Sequence, residues 1–172
     1  MDDQALQSKL DQLKMMAEAS SSDGMYGAAI EACQEAIQLL EMTDFEDPDH
    51  RDTDFRLMMA DTYWASGDIE EALRQYQNAV IADPDSLDAD AAVGFTLFHL
   101  CRFSAARSHL ERLSAEASEM PDVWYYLGLC AQRVGDTGLE TYAFQKAFAL
   151  DPEQYPLAVR VTREEIEELL VS

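Results

Sequence analysis

The sequence predicts an all-α solenoid of about four helix hairpins closed by a C-terminal helix, on three observations. The small residues Ala60, Gly94 and Gly128 recur at intervals of 34. Around them, paired stretches carry apolar residues at the i, i+3, i+4 and i+7 spacing of a helix face. Gly67-Asp68 and Gly135-Asp136 join two such stretches, and Asp83-Pro84 and Asp151-Pro152 close them. A fixed period of this length describes a hairpin that cannot bury its own faces and must stack on a neighbour.

Residues 1–42 are the first and most divergent hairpin, running through Leu6, Leu10, Leu13, Met16, Ala17, Gly24, Ala29, Cys33 and Ala36. Ala17 stands 43 residues before Ala60 rather than 34, so residues 43–52 form an acidic inter-repeat loop. The second hairpin, 53–86, carries Ala60, Ala72, Tyr76 and Ala79 about its Gly-Asp turn. The third, 87–120, keeps Val93, Gly94, Leu97, Ala106, Leu110 and Leu113 but loses the closing proline, and Pro121 opens the fourth. The fourth, 121–154, has Trp124, Leu127, Gly128, Phe144 and Ala147. At each turn glycine accepts the left-handed conformation that ends one helix, and the neighbouring aspartate caps the next. Proline then stops the second helix because it has no donor for the ladder. Residues 155–172 read as a linker and capping helix. Thr162 to Glu165 is a capping box, Val161 and Ile166 have staple spacing, and Ile166, Leu169 and Leu170 share one side.

These residues resemble the tetratricopeptide repeat (TPR) family, whose motif places Trp, Leu, Gly/Ala, Tyr, Ala, Phe/Tyr, Ala and Pro at positions 4, 7, 8, 11, 20, 24, 27 and 32. The likeness covers about residues 10–152 and implies a right-handed superhelix. Position 4 departs to Arg56 and Asp90, and position 20 of the fourth copy is Glu140. There the helix crossing must loosen or the carboxylate must reach solvent. Cys33 occupies the aromatic position 24 of its copy and reads as a buried small hydrophobe. The eight methionines, among them Met15, Met16, Met58, Met59 and Met120, are expected mostly as gap fillers on core-facing positions.

Composition narrows the function. The chain has 172 residues, 34 acidic and 12 basic side chains and a net charge of −22, with 48% hydrophobic residues. That apolar content is enough for a core. The charge disfavours nucleic acid and anionic membranes, whose phosphates it repels. No apolar run approaches the roughly 20 residues of a membrane span, and residues 1–20 lack the layout of a secretory signal. Cys33, Cys101 and Cys130 contain no CxxC pair and fit a reducing, cytoplasmic setting. Cys101, beside Arg102 at a turn, is the plausible exposed thiol.

No catalytic or cofactor site is legible. His50, His99 and His109 share no helix face at metal spacing, and His99 with Cys101 supplies only two ligands. Asp44, Glu46, Asp47, Asp49, Asp52 and Asp54 lack the glycine and glutamate of an EF-hand loop and read as a solvated stretch. Phosphate-cradling and nucleophile-elbow motifs are missing too. No enzyme, metal or cofactor is therefore expected.

The resemblance implies that positions 2, 5, 9, 12 and 13 of each first helix line a concave groove. The second copy then offers Asp54, Leu57, Asp61, Trp64 and Ala65. The third offers Asp88, Ala91, Phe95, Phe98 and His99, and the fourth Asp122, Tyr125, Leu129, Gln132 and Arg133. Trp64, Phe95, Phe98 and Tyr125 lie off the motif's core positions, which suggests a hydrophobic seat for a partner protein or peptide. The alternative is that some simply pack between adjacent helices. Position 2 is Asp11, Asp54, Asp88 and Asp122, and position 5 is Lys14, Leu57, Ala91 and Tyr125. One cation among eight argues against the family members that hold a chaperone's C-terminal carboxylate there. Residues 1–55 carry 14 acids against three bases, so the expected partner has apolar anchors and basic or neutral flanks. Two other readings remain at this point. Asp151 to Leu157 with Thr162 to Glu165 resembles the junction preceding minimal zinc peptidase domains, which would make the chain the regulatory or substrate-presenting arm of an enzyme. Solenoid ends could also stack on one another in self-association.

Overall fold

Turn chemistry sets the helix boundaries in the computed structural model, which describes residues 3–43 and 51–155. Eight helices follow one another among these residues: α1 (Asp3–Ser22), α2 (Tyr26–Glu41), α3 (Arg51–Ser66), α4 (Ile69–Ala82), α5 (Leu87–His99), α6 (Phe103–Glu116), α7 (Pro121–Val134) and α8 (Thr137–Leu150). No strand occurs among them. Gly24, Gly67 and Gly135 take φ of 74°, 89° and 82° at three of the hairpin turns. The corresponding residue in the third hairpin is Cys101, at φ 58°, a conformation that disfavours a side chain bearing a β-carbon. Asp68 and Asp136 cap α4 and α8 by accepting the backbone N–H groups of Glu71 (3.3 Å) and Leu139 (3.1 Å). Arg102 stands at the same point before α6 and gives no side-chain cap.

The chain divides into two compact units, Met1–Thr96 and Leu97–Ser172. In the first, α1 packs on α2, α2 on α3 and α3 on α4. Leu6, Leu10, Leu13 and Ala17 of α1 meet Ala32, Cys33, Ala36, Ile37 and Leu40 of α2 and Phe55 and Met59 of α3 in one core. In the second, α6 packs on α7 and α7 on α8. There Ala106, Leu110, Leu113, Val123, Leu127, Cys130, Ala131, Ala143 and Ala147 are buried.

The small residues at position 8 permit the close helix crossings the motif implies. A β-carbon on Gly128 would lie 2.8 Å from ring carbons of Phe144, so the aromatic ring of α8 rests directly on the backbone of α7. Ala60 is likewise fully buried. Glu140, the departure at position 20, accepts a hydrogen bond from the Gln132 amide at 2.9 Å in an exposed setting, so its carboxylate does reach outward.

The methionines correct an expectation. Met15 and Met42 are 70% and 84% exposed, Met16 and Met25 are exposed too, and among the described methionines only Met59 is buried. The stripe Leu6, Leu10, Leu13 and Ala17 fills the inward face of α1 and leaves Met15 on the opposite one, while Met25 and Met42 flank the ends of α2. The acidic segment from Asp44 to His50, the linker after Tyr155 and the capping helix through Thr162, Ile166 and Leu170 lie outside the described residues. Arg51 and Asp52 already belong to α3.

Candidate partner-binding faces

The first unit holds four of the sequence-derived groove residues. Leu57, Trp64 and Phe95 are half-buried. Asp61 is exposed, yet its carboxylate accepts the Tyr76 hydroxyl, tying α3 to α4. Ala91, a groove position by register, is buried instead. A cavity of about 210 Å³ opens beside these elements, lined by Leu10, Asp11 and Lys14 of α1 and Arg51, Asp54, Phe55 and Met58 of α3. Arg51 pairs with Asp11 at 3.0 Å and Lys14 approaches Asp54 to 3.7 Å. Two of the position-2 aspartates, Asp11 and Asp54, are thus partnered rather than part of a bare acidic rim. Arg51 escaped the sequence reading because it falls where the loop was drawn. Such exposed pairs stabilise little singly.

The second unit brings Phe98, His99 and Arg133 together. The Phe98 ring lies 5.4 Å from Tyr126 and 5.4 Å from Phe103, both edge-on, and 5.7 Å from His99. These are the offset arrangements that aromatic quadrupoles favour. His99 Nε2 is 3.1 Å from the Tyr126 hydroxyl. The Arg133 guanidinium lies over Phe103 at 5.4 Å and Phe98 at 6.0 Å, within cation–π range. Sequence reasoning missed Phe103 and Tyr126. Phe103 opens α6 and so sits outside the first-helix register that was searched, and Tyr126 adjoins Tyr125, which absorbed the assignment.

Tyr125 meets Tyr126 edge-on at 5.9 Å but otherwise faces a different set of rings. It stacks at 4.8 Å on Tyr155 and contacts Phe144 at 5.6 Å, so it joins packing around α8 more than it joins Phe98. Leu129 is half-buried on the same helix. Burial, then the neighbouring Asp122 charge, pushes the Tyr126 phenol upward. Burial, then Asp151, raises the Asp122 carboxyl in turn. The buried Cys33 and Cys130 thiols are pushed up to about 11 by desolvation, which keeps them protonated and inert. Cys101 is exposed, as its turn position suggested. Among the described residues no three His, Cys, Asp or Glu side chains gather as metal ligands, and no helix is long and apolar enough to cross a membrane.

The hairpins, their 34-residue register and the faces they present agree with one family model, the tetratricopeptide repeat, which matches residues 22–94 and 63–133. The chain belongs to the tetratricopeptide repeat family. Repeats of this family are generally non-enzymatic protein-interaction modules. Solved structures share the fold. MamA from Desulfovibrio magneticus RS-1 is 20% identical with a TM-score of 0.71, over 84% of this chain and 77% of that one. Another MamA crystal structure is 23% identical with a TM-score of 0.67, over 80% and 75%. YrrB, described as a TPR protein with an unusual peptide-binding site, is 17% identical with a TM-score of 0.63, over 80% of this chain and 66% of its own. No curated protein matches the sequence. The peptidase-junction likeness falls on residues 151–165, of which only 151–155 are described.

Proposed function

We propose that this chain is a non-enzymatic scaffold or adaptor that binds a peptide segment of a partner protein. Its apolar anchor sits against Phe98, Phe103, Tyr126 and His99, and its basic or neutral flanks face Asp122, the acidic first-helix position of the same unit. The observation that carries the reading is the ring cluster itself. Four rings from α5, α6 and α7 meet within 5.8 Å of one another in successive contacts, and His99 at their edge is exposed. Aromatic groups of this kind supply large contact area at small rotamer cost and dominate binding where they are found. Tyr125 and Leu129 complete the proposed lining in this unit, and Leu57, Asp61, Trp64 and Phe95 form a separate proposed partner-facing set on the first unit. The peptide-binding description of YrrB is consistent with a TPR chain used in this way. A cytoplasmic setting accords with three free cysteines.

Panning a random dodecapeptide phage library on the full chain tests the proposal. Recovered peptides are expected to share an apolar or aromatic residue and to bind Phe98→Asp at least tenfold more weakly, a loss of about 1.4 kcal/mol. Unchanged circular dichroism would show that the variant still folds. Equal binding by both proteins would remove the seat.

A further inference from the structure

We propose that Arg133 is the anion-recognition group of this seat, receiving a carboxylate that the partner segment carries beside its apolar anchor. The proposal rests on reading Phe98 and its neighbours as a seat.

In a chain of net charge −22, a basic side chain has carboxylates to spare around it. Lys9 pairs with Glu35 at 2.9 Å, Arg107 with Asp136 at 2.8 Å, and Arg112 with Glu116 at 3.8 Å. Arg133 does not follow them, nor does Lys146, which lies over the Tyr142 ring. Among the described residues no carboxylate pairs with Arg133, and its guanidinium lies over Phe103 and Phe98 instead. The acids just beyond α7 are committed elsewhere: Asp136 caps α8 and holds Arg107, and Glu140 takes the Gln132 amide.

Arg133 is exposed, so a guanidinium seated over these rings, with no carboxylate against it among the described residues, keeps N–H donors available to a ligand. Those donors form a rigid fork that matches a carboxylate with two parallel hydrogen bonds. The stack also lowers the rotamer freedom that binding would otherwise have to remove. Arg133 stands at position 13 of its helix, away from position 2, where Asp122 opposes an anion. Its place in the last turn of α7 would also favour a cation through the helix dipole, with no ligand involved. The test must separate the two.

A peptide recovered from the dodecapeptide library is synthesised in three forms: the free acid, a form with each Asp and Glu changed to its amide, and a form with an amidated C-terminus. Each is titrated by calorimetry into the full chain, Arg133→Gln and Phe98→Asp. One of the two amide forms is expected to bind the unmodified chain roughly tenfold more weakly than the acid. Which form weakens identifies the carboxylate as side-chain or C-terminal. On Arg133→Gln the acid and amide forms should bind alike. A purely dipolar Arg133 would lower thermal stability without altering that acid-to-amide ratio. If Arg133→Gln binds the acid form as tightly as the unmodified chain while Phe98→Asp does not, the seat stands and the Arg133 assignment falls. If Phe98→Asp also binds unchanged, or no peptide is recovered, the seat falls with it.

Discussion

Hairpins α3–α4 and α7–α8 occupy the same repeat register and close the same helix crossing with different chemistry. In α3–α4, Ala60 leaves room at position 8, and Tyr76 at position 24 donates its hydroxyl to Asp61. In α7–α8, Gly128 leaves more room, and the Phe144 ring lies against the backbone with the Tyr125 ring tilted toward it at 5.6 Å. A repeat therefore dictates where a small residue and a ring must stand. Whether the ring is held by a hydrogen bond or by contact alone is open to the individual copy. The same contrast holds for charge. Arg51, Arg56 and Arg74 of α3–α4 are paired with acids, whereas Arg133 and Lys146 of α7–α8 rest on aromatic rings.

The largest effect that would sharpen this comparison is at Gly128. Gly128→Val forces methyl groups into the Phe144 ring and is expected to cost about 1–3 kcal/mol, read as a lowered Tm and denaturation midpoint. An unchanged midpoint would mean that the ring moves aside freely and that the two crossings are not different in kind. Tyr76→Phe should cost less, about 1 kcal/mol, because it removes a hydrogen bond to a charged acceptor while keeping the ring. Urea titration measures it, and a variant as stable as the parent would reduce both hairpins to packing alone.

The smallest effects are two aspartates of opposite sign. The backbone N–H of Leu139, aided by Arg107, holds the Asp136 carboxyl below its ordinary value. Its stabilisation is present above the unfolded value of about 3.9 and is lost as pH falls through the folded one. Asp122 is raised by burial and then by Asp151, so its ionised form opposes folding at neutral pH and that penalty disappears in acid. Asp136→Asn should lower Tm at pH 7, Asp122→Asn should raise it, and both differences should shrink at pH 3, below the unfolded value. Thermal melts at the two pH values decide this, and shifts of the same sign would overturn the assignment.

Legibility in the sequence followed the range of the interaction involved. Gly67, Asp68, Gly135 and Asp136 were readable because a turn and its cap are settled within a few residues, and the structure has them as positive-φ glycines and N-caps. Burial of Cys33 followed from the register alone. The exposed methionines were misjudged because the inward stripe of α1 was already filled by leucines, a fact of saturation that composition does not express. At the candidate site, Phe98, His99 and Arg133 were singled out by position, but Phe103 and Tyr126 were missed. Their membership depends on how α6 and α7 rotate against each other.

The sequence by itself determined the helical repeat, its period, its turns and the small residues at its crossings, because these arise from backbone propensity and from spacing along the chain. Only the tertiary structure decided which ring lies on which, that Arg51 closes on Asp11, and that Arg133 rests on Phe103 with no carboxylate paired to it among the described residues. Those outcomes depend on side-chain direction and on competition among many acids for few bases, and both are settled only when helices distant in sequence are packed together.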